Sequence, residues 1–168
     1  DPVETYQSNV IGTLNVLQAA RMSTRVKVMV MITTDKVYEN VESDHFYREG
    51  DPLGGYDLYS SSKACCEILI SSFRRSFFPL EKYGSSHDTL IATARAGNVL
   101  GGGDWSPDRL IPDLMKAAHA KQKVEIRNPL SVRPWQHVMD CLTGYLLLAE
   151  KLLLQDTNAS TAWNFSPY

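Results

Sequence analysis

The side chains in this chain that could do chemistry sit in two short stretches, Thr33-Thr34-Asp35-Lys36 and Tyr59-Ser60-Ser61-Ser62-Lys63. Together they hold hydroxyls, a carboxylate, two amines and a phenol. Tyr59 and Lys63 are four residues apart, and Ala64, Cys65, Ile68, Leu69, Ser72 and Phe73 continue at helical spacing, so the two side chains share one helix face. A free phenol titrates at about 10. An adjacent ammonium stabilises phenolate, which would let Tyr59 exchange a proton with a substrate hydroxyl close to neutral pH. A bare Y-x-x-x-K pattern is more often a helical tyrosine packed over a solvated lysine. The T-T-D-K segment before it changes that balance, because of where the surrounding elements place it.

Val26-Lys27-Val28-Met29-Val30-Met31-Ile32 is apolar with one interruption and rich in β-branched residues, the pattern of a strand covered on both faces in a parallel sheet. Thr33 to Lys36 then fall at its carboxyl end, where functional groups collect in open α/β sheets. The spacing along the rest predicts a helix over 3–21, a strand over 26–33, a long loop over 35–58, a helix over 59–77, strands over 89–96, 124–127 and 162–165, and helices over 109–120 and 138–154. Such alternation implies an α/β fold with a parallel sheet and right-handed crossovers. A loop as long as 35–58 is usually functional or disordered; its Val37, Tyr38, Phe46, Tyr47, Leu53 and Tyr56 predict an ordered one that packs against the site.

Composition narrows the function classes. A chain of 168 residues supports one sizeable core. A net charge of −2 offers no electrostatic reason to expect nucleic acid or a membrane surface as partner, and no apolar run reaches the ~18 residues of a spanning helix. The three cysteines, Cys65, Cys66 and Cys141, are odd in number with two adjacent in a helix, which suits neither a disulfide framework nor a zinc site. They are expected to be buried thiols in a reducing cytoplasm, and no metal site is expected.

Longer passages carry a resemblance. T-T-D-K-V-Y at 33–38, Y-R-E-G-D-P-L-G-G-Y-D-L-Y-S-S-S-K at 47–63, R-R-S-F-F at 74–78, A-R-A-G-N-V-L-G-G-G-D-W at 94–105, D-R-L-I-P at 108–112 and R-N-P-L-S-V-R-P-W-Q-H-V at 127–138 resemble, in the same order, the extended short-chain dehydrogenase/reductase family of NAD-dependent epimerases and dehydratases. Within it they are most similar to the 4,6-dehydratases of CDP-glucose. The resemblance implies a Rossmann-like doubly wound parallel sheet with part of a smaller α/β substrate domain. Residues 1–97 would be the second part of the NAD-binding domain and carry the catalytic residues; residues 98–168 would be largely the sugar-nucleotide domain, interleaved with the first. The family's G-x-x-G-x-x-G turn, which holds the dinucleotide pyrophosphate at a helix N-terminus, does not occur in these residues. The chain is therefore expected to be an internal fragment, inactive alone. Gly101-Gly102-Gly103 follows the wrong strand and reads as a flexible substrate-side turn.

The resemblance further implies a redox-neutral dehydration on tightly held NAD. Tyr59 would take the proton from the sugar 4-hydroxyl as hydride leaves C4, with Thr34 hydrogen-bonded to the 4-oxygen. Lys63 would lower the Tyr59 pKa and hold the nicotinamide ribose, so Tyr59 and Lys63 are also the cofactor-binding pair. Asp35 would protonate the departing 6-oxygen, which requires burial or neighbouring acids to raise its pKa; otherwise Asp35 simply caps the following turn. The commoner dehydratases of the family have Glu where this chain has Lys36. Lys36 could remove the C5 proton if desolvation and Lys63 depress its pKa, could stay charged and stabilise the enolate, or could be a solvated loop residue.

A sugar nucleotide's diphosphate needs cations. Arg133 is the first choice, since Arg clasps phosphate bidentately and Arg133, Trp135 and His137 would share one face of an extended segment. Arg109, at a predicted helix start, is the second; the alternative for each is a surface arginine. Asn98, after a strand at a glycine turn, would either touch substrate or adopt a positive φ. Trp135 is expected to fill core, His137 to satisfy a local hydrogen bond, and Asn9 to brace backbone near the site. The expected partner is CDP-glucose, the full-length protein is expected to be a cytoplasmic homo-oligomer, and the product would feed deoxysugar synthesis for surface polysaccharide such as lipopolysaccharide. The competing readings are a dehydratase or epimerase of a UDP-, GDP- or dTDP-sugar, and a non-catalytic NAD-binding relative.

Overall fold

A computed structural model describes residues 1–40, 43, 45–124, 126 and 128–167. Three parallel strands form its centre, β1 (Val28–Ile32), β2 (Leu90–Ala96) and β5 (Ala162–Phe165), ordered β1-β2-β5. Val28 pairs with Leu90 and Thr93 with Ala162. β2 lies between the other two and is buried at every position. Within this chain β1 pairs with β2 alone, and its residues are half-buried with Ile32 exposed.

The two faces separate by the period-2 geometry of strands. Met29, Met31 and Ile91 pack with Leu17 of α2 (Gly12–Arg21) and with Cys66, Ile70 and Phe73 of α3 (Leu58–Phe77). Val28, Val30, Leu90, Ala92 and Ala94 pack with Leu148 and Leu152 of α5 (Val138–Leu153). Thr93 and Arg95 are in register with Ile91 and so are driven into the interior beneath α3, where both are buried and must find polar partners.

The helix expected over 3–21 is one helical run with a change of pitch: α1 (Pro2–Tyr6), a π-turn over Gln7–Ile11, then α2. The extra residue of a π-turn rotates the side chains before it. Here Tyr6 and Asn9 meet α3, with Tyr6 Oη 2.8 Å from Ser61 Oγ and Asn9 Nδ2 donating to Ser62 Oγ at 2.9 Å. Ser62 Oγ in turn donates to the Tyr59 carbonyl at 2.7 Å. Asn9 thus braces the Tyr59 backbone through Ser62.

A second, two-stranded parallel sheet was not expected from the sequence: β3 (Val99–Leu100) pairs with β4 (Gln136–His137). Two-residue strands are too short to show a periodicity. Of the strand expected over 124–127, Val124 and Ile126 carry no regular structure, while Glu125 and Arg127 lie outside the described residues. Between the small strands, α4 (Leu110–His119) occupies the expected helix.

The loop after β1 is ordered over its described residues. A 3-10 turn over Asp35–Val37 leads into an antiparallel bridge of Tyr38 with Leu53, and Gly54 N donates to the Val37 carbonyl at 2.8 Å. Tyr38 stacks on Tyr47 with ring centroids 5.0 Å apart. Phe46 and Tyr56, expected to pack inward, stand in solvent, because the bridge and the stack fill the inner side without them. The loop then seats on the first turn of α3. Asp57 caps that helix, accepting from Ser60 N at 3.0 Å and Ser60 Oγ at 2.6 Å. Gly55 has φ +105, and a Cβ there would lie 2.5 Å from the backbone of Ser60 and Ser61. Gly55→Ala is therefore expected to cost about 1–3 kcal/mol for the positive φ alone, with the steric clash in addition; a denaturant midpoint unchanged by the substitution would show that the loop does not seat here.

Candidate active site

Thr34 ends the first strand's extension and caps the 3-10 turn, its hydroxyl accepting from Lys36 N at 3.3 Å and donating to Asp35 Oδ1 at 3.1 Å. Thr34 is buried, and Asp35 largely so. Burial pushes the Asp35 carboxyl above its ordinary value, outweighing the Thr34 hydrogen bond and the charges of Lys36 and Arg133 that pull the other way. The condition set for a proton donor, a desolvated carboxyl, is met.

Tyr59 lies in the first turn of α3 with 45% of its surface exposed. Its pKa is raised, not lowered as expected from the Y-x-x-x-K spacing. Burial is the largest cause, Asp35 and Asp57 add to it, and the cation that most opposes it is Arg109. Lys63 sits one turn along the helix, half-buried, and its charge acts on Cys66. Arg109 thus adds a second cation to the Tyr59–Lys63 pair that the sequence singled out.

Arg109 directly precedes α4 with an extended backbone, as the sequence predicted, and its charge reaches Tyr59. Arg133 acts on Asp35. Arg133, Trp135 and His137 do not share an extended face, because Trp135 N donates to the Arg133 carbonyl at 3.0 Å and turns the chain at Pro134. That turn closes against Gly97: a Cβ on Gly97 would meet Pro134 Cγ at 2.5 Å and Asp35 Oδ2 at 3.1 Å. Only glycine lets the Pro134 turn approach the acid so closely. Asn98 joins the two sheets, its carbonyl accepting from Gln136 N at 3.0 Å. His137 Nδ1 accepts from Met139 N at 3.2 Å and caps α5, the local role expected of it. One electrostatic neighbourhood therefore contains Thr34, Asp35, Lys36, Tyr59, Arg109 and Arg133, with Asn98 at its rim through Gly97.

Sequence reasoning missed the polar cluster directly beneath. Glu67 and Arg95, each almost wholly buried, form an ion pair at 2.7 Å. Glu67 also accepts from the hydroxyls of Thr33 and, at 2.9 Å, Thr93. Arg95 Nη1 donates to Tyr38 Oη at 2.8 Å and to the Glu49 carbonyl at 3.1 Å; Tyr38 Oη donates to Asn164 Oδ1 at 2.6 Å. The available signal was Glu67 one turn after Lys63 in the helix, together with an arginine inside an otherwise uncharged strand.

Among the described residues no group of His, Cys, Asp and Glu is placed to hold a metal. The family model described as "NAD dependent epimerase/dehydratase family" matches residues 1–160. The chain belongs to that family. It is 48% identical over 166 residues, 99% of this chain and 46% of the relative, to CDP-glucose 4,6-dehydratase of Salmonella typhimurium. Of solved structures, dTDP-glucose 4,6-dehydratase of Bacillus anthracis, crystallised with NAD, is 25% identical and superposes at TM-score 0.77 over 99% of this chain and 48% of its own. UDP-N-acetylglucosamine 4-epimerase of Methanobrevibacter ruminantium M1, in complex with UDP-N-acetylmuramic acid, superposes at TM-score 0.79 over 99% and 49% at 20% identity, a likeness of fold. The sheet described above is thus Rossmann-like, and the chain spans about half the length of these relatives.

The raised Asp35 pKa has a stability consequence. A buried carboxyl whose folded value exceeds its ordinary 3.8 binds protons more tightly folded than unfolded, so stability falls as pH rises through that window and the cost persists at neutral pH. Asp35→Asn, which retains an acceptor for Thr34, is expected to raise the thermal midpoint at pH 7, and the gain should shrink as pH falls towards 3.8. A midpoint lowered at pH 7 would contradict a desolvated Asp35.

Proposed function

We propose that this chain is the catalytic part of a CDP-glucose 4,6-dehydratase, converting CDP-glucose into CDP-4-keto-6-deoxyglucose for deoxysugar synthesis. The 48% identity to the Salmonella enzyme supports the substrate. The observation that carries dehydration over epimerisation is Asp35, whose burial favours the protonated acid; epimerisation needs no acid for a leaving hydroxyl.

The cofactor of the reading is NAD, as in the family's description. The residues present fit its nicotinamide end: a phenol and an ammonium one turn apart on a half-exposed helix face beside the carboxyl end of β1 suit ribose hydroxyls. NAD supplies the acceptor for the C4 hydride and its return to C6. Thr34 hydrogen-bonds the sugar 4-oxygen while Tyr59 takes the 4-hydroxyl proton, and Arg109 offsets the phenolate charge that burial disfavours. The 4-ketone acidifies the C5 proton. Lys36 acts at C5, as base or as a charge beside the enolate, and Asp35 delivers its proton to the 6-oxygen as water leaves. Arg109 and Arg133 bracket the Asp35–Tyr59 pair and suit a diphosphate, with Asn98 towards the sugar.

Residues 1–97 are assigned to the dinucleotide half and 98–168 largely to the sugar-nucleotide half; the return of α5 and β5 to the central sheet supports interleaving. No helix among the described residues is long and apolar enough to cross a membrane. A cytoplasmic homo-oligomer is proposed for the whole protein.

Full-length protein incubated with CDP-glucose is expected to form the 4-keto-6-deoxy sugar, and with UDP-, GDP- and dTDP-glucose far more slowly. No conversion of CDP-glucose would refute the reading. In Lys36→Met the first oxidation should survive while elimination slows about tenfold or more, so reduced NAD accumulates in a single turnover and solvent deuterium enters C5 more slowly. Unchanged exchange at C5 would move that role to another residue.

A further inference from the structure

The catalytic groups lie on two separate elements. Tyr59 and Lys63 belong to α3, and Thr34, Asp35 and Lys36 to the end of β1. Sheet hydrogen bonds hold β1 to β2, but they say nothing about how α3 slides or rolls over the sheet. Apolar contact alone permits such motion, because it is not directional. Arg74 Nη1, donating to the Ile91 carbonyl at 3.1 Å, fixes the far part of α3 to β2; Glu67 supplies the direction beside the site. It follows Lys63 by one helical turn and Tyr59 by two, and its two oxygens take separate partners. One accepts from Thr33, the residue preceding Thr34; the other accepts from Thr93 and from Arg95 at 2.7 Å. Arg95 then holds the covering loop through Tyr38 and the Glu49 carbonyl, and lies two residues before Gly97, against which Pro134 and Asp35 close.

We propose that the buried Glu67–Arg95 pair, with Thr33, is the positioning device of this site: one carboxylate sets the distance between the proton-transfer tyrosine on α3 and the Thr34-Asp35 segment at the strand end. None of the three touches substrate; they act through Tyr59, Thr34 and Asp35. The inference rests on the dehydratase reading for its kinetic consequence and on the structure alone for the clamp. Its signature is a loss in the chemical step with ground-state binding retained, since displacing reacting groups by a fraction of an ångström to one ångström slows reaction up to about a hundredfold without removing a binding contact.

The test uses full-length enzyme. Thr33→Val removes the hydroxyl that joins Glu67 to the site and leaves the ion pair intact. It is expected to slow the first hydride transfer, read as reduced NAD in a single turnover, about fivefold or more, with KM for CDP-glucose within about twofold, and Thr33→Ser to restore the rate. Amide exchange at Lys36 and Val37, whose N–H groups bond back to Thr34, should accelerate in Thr33→Val and return to normal in Thr33→Ser. The double variant Glu67→Met with Arg95→Met removes both charges together, a replacement often neutral for stability. If it keeps the parent's thermal midpoint yet loses about tenfold or more in hydride transfer, the pair positions; parent rates in that variant, or in Thr33→Val, overturn the proposal. Should the double variant not fold, the Thr33 variants decide. The parent's own turnover of CDP-glucose is the control: its absence would sink the dehydratase reading and leave the clamp to be judged by amide exchange, where unchanged protection in Thr33→Val overturns it.

Discussion

The site is arranged about a carboxylate and a guanidinium that are almost wholly buried. Burying either charge alone costs several kcal/mol, and the cost is met here only because the pair sits at 2.7 Å with neighbours on both sides. Burial on its own pulls the Arg95 pKa down, but the Glu67 hydrogen bond and charge outweigh it and hold the guanidinium firmly protonated. Two threonines saturate Glu67, and a tyrosine and a backbone carbonyl take Arg95 Nη1; only Arg95 Nε lacks a partner among the described residues. A network so nearly complete is directional, and it joins β1, β2, α3 and the loop from four separate stretches of chain.

The character of the site above follows from that floor. With Thr33 held from below and the Pro134 turn pressed onto Gly97 from above, Asp35 has little water, and its carboxyl is pushed towards the acid form. The same enclosure penalises the Tyr59 phenolate. Desolvation thus suits Asp35 as the proposed proton donor and works against Tyr59 as the proposed acceptor. The structure resolves the conflict with charge: Arg109 lies on the tyrosine's side and Arg133 on the acid's. Such opposed demands on two titrating groups mark a site built for both acid and base chemistry.

A second chain of contacts reaches Tyr59 from behind. The π-turn at Gln7–Ile11 brings Asn9 onto Ser62, and Ser62 onto the Tyr59 carbonyl, while Cys66 Sγ donates to the Asn9 carbonyl at 3.2 Å. These bonds pin the first turns of α3 to the preceding helix. Helix ends are the least rigid parts of a helix, and Tyr59 needs this support because it lies in the first turn.

The sequence by itself determined the alternation of strands and helices, the placing of Thr34 to Lys36 at a strand end, the shared helix face of Tyr59 and Lys63, and Arg109 at a helix start. Each rests on local periodicity or capping, which neighbours in sequence decide. It also carried the family, since motifs in order along the chain need no coordinates. Only the tertiary structure decided the rest. That Arg109, at the start of α4, also acts on Tyr59 depends on an approach across space. The β3–β4 pair is too short to leave a periodic trace. The Glu67–Arg95 pair joins residues on different elements through the interior, and a charge in a strand or helix does not reveal in sequence which partner the fold will supply.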